Sequence, residues 1–292
     1  MAKRRSILRR KQQLSGVADI VTAMRQLAFF ETRKLSPRLK NLNAMQESIE
    51  TATGDFLSFY QPAAPRNEVK NARLIIAFGS ERGFCGSFNK RVAQAMLRNS
   101  NEDARRTIIA VGTRLEYVEQ YQQFKQEQEQ REQHKILTGA LITEDIPAVL
   151  ETIIEHLATW KSEEKNQFPW ISALYHSNHT AEIKQKKIFP FTLHTPQQNN
   201  SLTYAPLITL CPDELYRQLL ENYMRVTLEK IATESLMAEN QARIQHMEGA
   251  EHYAKAELEQ LARRYQQIRQ DEITEEIELI SSFINPAAPQ IG

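Results

Sequence analysis

Glycine is scarce in this chain, cysteine almost absent, long apolar runs missing and net charge close to zero, and each shortage excludes something. Of 292 residues nine are glycine and two cysteine. Cys85 and Cys211 form no CxxC pair, which argues against a zinc site or a disulfide framework and fits a reducing compartment. No apolar stretch reaches the roughly 20 residues that span a bilayer, and the basic N-terminus lacks the apolar core of a secretory signal. A formal charge of +1 excludes a generally cationic nucleic-acid binder. The positive charge is crowded at the start instead, at Lys3, Arg4, Arg5, Arg9, Arg10 and Lys11. No aromatic side chains are interleaved with it to stack bases, so nucleic acid is the weaker partner for this cluster and an acidic protein surface the better one.

What the chain does have is two long proline-poor segments at its ends. Residues 212–283 contain no internal proline after Pro212 and one glycine, Gly249. Apolar or small residues recur at Met247, Ala250, Ala254, Leu258, Leu261, Tyr265 and Ile268, then after a one-residue slip at Ile273, Ile277, Ile280 and Ile284. Spacing by threes and fours predicts a helix packed along another helix. Roughly 70 helical residues would reach about 105 Å, more than a small domain is wide. The companion is legible at residues 4–59. One heptad phase runs through Leu14, Val17, Val21, Met24, Ala28, Glu31, Leu35, Arg38, Leu42, Met45, Ile49, Ala52, Phe56 and Phe59, broken only at Glu31 and Arg38, beside Pro37, where a kink is expected. The prediction is an α/β protein in which the N- and C-terminal helices form a long antiparallel coiled coil with a Rossmann-like α/β domain inserted between them. The expected boundaries are 1–61, 62–211 and 212–292.

Pro62 and Pro65 end the first helix, and strands are expected at 74–78, 107–111, 170–175 and 188–193, with a further short run at 202–204 after a turn-rich loop at 195–200. Helices are expected at 89–97, at 116–121 and from Thr143 or Asp145 onward, the last broken off by Pro169. The tract 125–134 is almost wholly Gln, Glu, Lys and Arg and reads as a solvated helix end or loop without chemistry. Residues 285–292 read as a frayed end.

Motifs for catalysis are few. Gly79, Gly83 and Gly86 follow the first strand, but in neither GxGxxG nor Walker spacing, and Glu81 would repel a phosphate, so a structural tight turn is the better reading. His176 and His179 have no carboxylate at ligand spacing, and no serine sits in a GxSxG elbow. Neither a catalytic site, a cofactor nor a metal is indicated.

Three stretches carry a resemblance. Glu234-Ser235-Leu236-Met237-Ala238-Glu239-Asn240-Gln241-Ala242-Arg243 is similar to a Glu-Ser-x-x-Ser-Glu-x-x-Ala-Arg segment, with Ala238 for the usual serine, and the Met-Glu-Gly-Ala of 247–250 falls where a Met and a small-residue run are usual. Residues 265–277, from Tyr265 through Arg269-Gln270 to Ile273-Thr274 and Ile277, resemble a Tyr-Asn-x-x-Arg-Gln-x-x-Ile-Thr-x-Glu-Ile signature. The turn at 80–89 is similar to Ser-Asp-Arg-Gly-Leu-Cys-Gly-Gly-x-Asn, and Ile20, Ala23 and Met24 match an Ile-Thr-Lys-Ala-Met segment in which Val21 and Thr22 replace Thr-Lys. Together they resemble the gamma subunits of F-type rotary ATP synthases, and the departures, with Tyr175-His176 for the usual Tyr-Asn, suggest a divergent or alternate branch.

The resemblance implies a non-catalytic central stalk. The helix pair would be an axle inside a hexamer of alpha and beta subunits, and the α/β domain a foot lying with the epsilon subunit against the membrane c-ring. ATP chemistry would belong to alpha and beta. The implied subunit-interface residues are Arg9, Arg10, Met24, Arg33, Lys34, Arg269, Gln270, Thr274 and Ile277, with Ile273, Leu279, Ile280 and Phe283 completing an apolar bearing surface. Membrane contact would be indirect, at the cytoplasmic face of a bacterial or archaeal membrane, with no nucleic-acid partner and no thiol switch. A non-rotary coiled-coil scaffold or tether is the alternative, and a nucleotide-handling enzyme is disfavoured by the missing phosphate motif.

Overall fold

The computed structural model describes residues 2–60, 68–98, 105–128, 132–163, 168–177, 182–189 and 204–284. The expected loop at 195–200, most of the run at 202–204, His179, Pro62, Pro65 and the tail 285–292 lie outside them. The chain divides into two compact units, residues 1–27 with 245–292, and residues 28–244.

Two helices dominate. Helix α1 spans Ala2–Phe59 and is unbroken at Pro37, and α5 spans Pro212–Ile284. In the first unit they run antiparallel, because ion pairs link ascending positions of α1 to descending positions of α5. Arg4 pairs with Glu272 and Arg10 with Glu257, each at 3.1 Å, and Arg25 with Glu251 at 3.1 Å. Such pairs are partly exposed and each is worth only about 0–1 kcal/mol, so they set register more than stability. The apolar seam contributes more, with Met247, Ala254 and Leu261 buried. From Ile273 the seam opens, and Ile273, Ile277 and Ile280 are exposed.

In the second unit the same antiparallel sense holds. Arg38 reaches Glu229 at 2.6 Å, and further along α1 Phe56 stacks on the earlier α5 residue Tyr216, ring centroids 6.1 Å apart. The heptad positions Ala28, Leu35, Leu42 and Phe56 are buried. The companion row, however, moves by one residue, for Gln46 and Thr53 are buried where Met45 and Ala52 were expected, and Met45 and Phe59 are exposed. A straight α-helix has 3.6 residues per turn, so a strict 3.5 repeat drifts off the contact face within a few turns. The two polar interruptions also have partners. Glu31 accepts from the backbone N–H and hydroxyl of Thr143 (3.0 and 2.8 Å), while Arg38 takes Glu229.

The rest of this unit is a five-stranded sheet in the order β3-β2-β1-β4-β5. Strands β1 (Glu68–Phe78), β2 (Arg105–Val111), β3 (Glu132–Leu137) and β4 (Phe168–His176) are parallel to their neighbours, and β5 (Ile183–Phe189) is antiparallel to β4. Helices α2 (Phe88–Arg98) and α3 (Glu119–Gln128) are on one face. Helix α4 (Ile146–Glu163), with parts of α1 and α5, is on the other. Alternation along the strands sorts side chains to the two layers. Leu74, Ile76 and Phe78 of β1 meet Ile153 and Leu35, whereas Ile75 and Ala77 meet Val92 and Met96. Leu228, Ile231, Leu236 and Met237 of α5 belong to the first of these cores. From residue 226 to 240 only Glu229, Lys230 and Glu234 escape full burial. Each fully buried Leu or Ile contributes roughly 1.5–3 kcal/mol, so this part of α5 stabilises the α/β layers as much as it does the helix pair.

Several local expectations are corrected. The Gln-rich tract is the end of α3 followed by β3, which pairs with β2 from Arg106↔Glu132 to Val111↔Leu137. As an edge strand it needs little apolar character, and composition hid it. A one-turn helix at Thr113–Tyr117 followed by α3 replaces the helix expected at 116–121. Helix α4 ends at Glu163, and Pro169 lies within the start of β4, where a missing N–H is tolerated. Ahead of α4, Asp145 folds back to accept the amides of Leu141 and Ile142 (2.9 and 3.1 Å), and Pro147 sits in the first turn, where its lost N–H costs nothing. Strand β5 begins at Ile183, five residues earlier than expected, because three lysines mask it.

Candidate functional site

The turn between β1 and α2 occupies the position at which open α/β sheets bind ligands, outside the carboxyl ends of the strands where the order reverses from β1 to β4. Here the chain fills that position itself. Ser80 is fully buried, its amide donating to Asn89 Oδ1 (2.8 Å) while Asn89 Nδ2 donates to Ser80 Oγ (2.8 Å). Cys85 Sγ lies 3.3 Å from the same hydroxyl, and burial pushes its thiol up, away from reactivity. The left-handed conformations fall at Phe84 (φ 64°) and Gly86 (φ 60°), not at Gly79 or Gly83.

Glu81 takes up the donors beside this turn. Its carboxylate accepts from the amide and hydroxyl of Thr113 (2.9 and 2.8 Å) and from the amide of Gly139 (2.8 Å). The donors that cradle a phosphate in nucleotide-binding folds are thus spent on a side chain that ties the ends of β1, β2 and β3 together. Glu81→Ala is expected to destabilise the chain by about 1–3 kcal/mol, since buried donors lose their acceptor. An unchanged urea midpoint would show that water replaces the carboxylate without cost.

Above this turn lies a buried ion pair. Arg243 and Glu239, one helical turn apart on α5, pair directly, each side chain 5% exposed. Arg243 also donates to Asn240 Oδ1 (2.8 Å) and to the carbonyl of Gly83 (3.4 Å). Burial raises the Glu239 carboxyl to about 7 even though Arg243 opposes the shift. Beneath the pair, Ala238 packs on Cys85 and Phe88. His176 is buried too, stacked on Phe88 with ring centroids 3.9 Å apart and donating from Nε2 to the Phe88 carbonyl (3.0 Å). The cluster is a lock joining α5 to the sheet. Among the described residues no group of three or more His, Cys, Asp or Glu could hold a metal.

The residues singled out for partner contact lie elsewhere. In the first unit Arg9, Arg269, Gln270, Thr274 and Ile277 are exposed and Met24 is half-buried, while Arg10 is held by Glu257. Arg269, Gln270, Thr274 and Ile277 fall within little more than two turns of α5, and the Thr274 hydroxyl is turned back onto the Gln270 carbonyl (3.0 Å). In the second unit Arg33 lies 5.8 Å from the Phe29 ring, and Lys34 bridges Glu31 and Glu144 (3.3 and 3.1 Å). Those carboxylates, Glu144 first, hold the Lys34 pKa above its ordinary value. The Phe283 side chain lies outside the described ones. Among the described residues no helix is long and apolar enough to cross a membrane.

A family model described as ATP synthase matches residues 3–283. The chain belongs to the ATP synthase gamma family. It is 24% identical over 287 residues to the ATP synthase gamma chain of Clostridium botulinum strain Hall, covering 93% of both chains, and 25% identical over 297 residues to that of Ruminococcus albus, covering 97% and 98%. In fold it is similar to a chain of the Euglena gracilis mitochondrial ATP synthase OSCP/F1/c-ring structure in rotational state 3, with a TM-score of 0.59, 13% identity and coverage of 100% and 97%. A chain of the rotor of the same enzyme gives a TM-score of 0.53 at 14% identity, covering 93% and 99%. Membership in the ATP synthase gamma family gives a place to the Glu234–Arg243 resemblance, whose physical role as the lock over the β1 turn had not been legible. The one available signal was the spacing of four between Glu239 and Arg243.

Proposed function

We propose that the chain is the rotating central-stalk subunit of an ATP synthase, transmitting torque between a membrane c-ring and an alpha/beta hexamer and so coupling ATP synthesis to proton or sodium-ion transport. Nucleotide chemistry lies in the alpha and beta subunits, and this chain works mechanically. An asymmetric shaft presents different contacts to three otherwise equivalent sites and shifts their conformational populations in turn. The observation that carries the reading is the opening of the helix-pair seam from Ile273 onward. There Ile273, Ile277, Leu279 and Ile280 are exposed on a helix that keeps its regular structure to Ile284, beside Arg269 and Gln270. An apolar surface with few directional bonds suits a bearing, and the Arg269 guanidinium suits an acidic group of a beta subunit. Arg9, Arg10 and Met24 near the other terminus, with Arg33 and Lys34, are assigned to further hexamer contacts. Functionally the chain divides at 1–61, 62–211 and 212–292 into axle, foot and axle, the foot meeting an epsilon subunit and the c-ring at the cytoplasmic face of a bacterial or archaeal membrane.

Purification from native membranes through a tag placed between α3 and β3 tests this. Recovery of alpha, beta and epsilon subunits with ATPase activity is the expected result, and recovery of the chain alone returns it to a scaffold or tether. In the complex, Arg269→Ala with Gln270→Ala is expected to lower ATP synthesis severalfold while leaving the melting transition of the chain unchanged. Unaltered synthesis would remove these two residues from the contact.

A further inference from the structure

Phe84, in the turn between β1 and α2, is the one non-glycine residue with positive φ among the described residues, and at φ 64° its side chain is 61% exposed. Both features work against stability, since a bulky side chain strains that backbone and an apolar ring left in water gains nothing from folding. The turn holds this conformation because its neighbours are fixed from within. Ser80 Oγ donates to the Arg82 carbonyl (2.9 Å), Arg243 donates to the Gly83 carbonyl (3.4 Å), and Cys85 and Phe88 are buried against Ala238. Around the ring the surface is cationic. Arg82, Ser87 and Lys90 are exposed, the last two at a spacing of three where α2 begins, and that helix has no acidic residue in its first turn to offset its positive end. We propose that this turn is a docking surface for an acidic segment of a partner protein, one that lays an aliphatic side chain on the Phe84 ring and sets carboxylates against Arg82 and Lys90.

Charge and ring together select that occupant. Among the described residues neither Arg82 nor Lys90 forms an ion pair. The one carboxylate of residues 79–90, Glu81, is turned inward onto Thr113 and Gly139, and Glu239, which feels the Arg82 charge, is buried against Arg243. A guanidinium fork matches a carboxylate in bidentate geometry, and an ammonium meets one as a point charge. The exposed ring asks for more than a bare anion. Nucleic acid fits poorly because bases need successive rings on which to stack, and an anionic membrane because two cations fall short of the basic clusters that hold one. The strain also acquires a use, since a ring already fixed outward by the fold has little freedom left to lose on contact. This surface lies on the α/β layers and adds to those assigned along the two long helices.

The test uses the full chain in its native membrane complex, with Ser87→p-benzoylphenylalanine as a photo-crosslinker and mass spectrometry of the adducts. The expected product is a peptide of another protein in which Asp or Glu flank an aliphatic residue. Arg82→Gln with Lys90→Gln should cut its yield about tenfold. Phe84→Gly should also cut the yield severalfold while leaving the urea midpoint of the chain unchanged or higher, because glycine accepts φ 64° without strain. A lipid or nucleic-acid adduct, a peptide without acidic residues, no adduct, or a yield indifferent to the charge changes would overturn the proposal. So would a midpoint lowered by Phe84→Gly with the yield kept, since the ring would then serve the fold. Alpha and beta subunits are scored in the same preparation, so a missing contact at the turn is distinguished from failure of the stalk reading.

Discussion

Arg243→Ala is expected to lower stability by about 3–5 kcal/mol, because it removes one member of a buried pair and leaves the other charge without compensation. Glu239, 4% exposed, would lose its partner, and the Gly83 carbonyl would lose its donor. The loss should also depend on pH. The folded-state pKa of Glu239 is raised from 4.5 to about 7 by burial. A carboxyl raised on folding holds its proton more tightly in the folded state, so its contribution is full below about 4.5 and is lost as pH rises through about 7. The unmodified chain should therefore lose stability between pH 5 and 8, on the order of 1–3 kcal/mol, relative to Glu239→Gln, which has no proton to lose. Arg243→Ala removes the group that opposes this shift. It should therefore be more damaging at pH 8, where the buried carboxyl must take up a proton on folding or bear an uncompensated charge, than at pH 5. Urea midpoints of the three proteins at both pH values decide it, and equal midpoint losses for Arg243→Ala at pH 5 and 8 would mean that the pair does not govern stability here.

Gly112→Ala should cost about 3 kcal/mol or more, from two sources that add. Gly112 has φ 107°, where an L side chain is strained by roughly 1–3 kcal/mol. A Cβ at that position would also lie 2.7 Å from the Gly79 carbonyl carbon and 2.8 Å from the Gly79 and Ser80 oxygens, all backbone atoms that cannot swing aside. Those atoms are fixed because Gly79 N donates to Val111 O (2.7 Å) and Gly112 N to Leu137 O (2.9 Å), joining the ends of three strands. Gly16→Ala is the matched control. It lies within α1, where an added methyl would meet nothing within 4 Å, and should gain about 0.5–1 kcal/mol from helix propensity. A melting transition for Gly112→Ala equal to that of the unmodified chain would show that the strand ends separate more freely than their hydrogen bonds imply.

The two long helices were legible because their information is local. A 3.5-residue repeat read from Leu14 to Phe59, or from Met247 to Ile284, specifies a helix, its buried face and its need for a companion. Leu35, Leu42, Ala254 and Leu261 are buried where that repeat put them. β3 was illegible for the complementary reason. Residues 132–135 are polar, and they form a strand because β2 offers them a ladder of backbone hydrogen bonds, which no property of Glu132 or Gln133 announces.

The same division runs through the candidate site. The glycine turn after β1 was readable as structural from spacing and from Glu81, but not the capture of the Thr113 and Gly139 amides by that carboxylate, since these lie 32 and 58 residues away. The sequence by itself determined the pair of end helices, the α/β insertion and, through residues 234–243 and 265–277, the family. Periodicity and motif are properties of neighbours along the chain. The tertiary structure alone decided that residues 226–243 of α5 are core to the sheet layers and that Arg243 and Glu239 lock them over the first turn. Burial and pairing between distant segments are set by which surfaces meet, and only the folded chain brings those surfaces together.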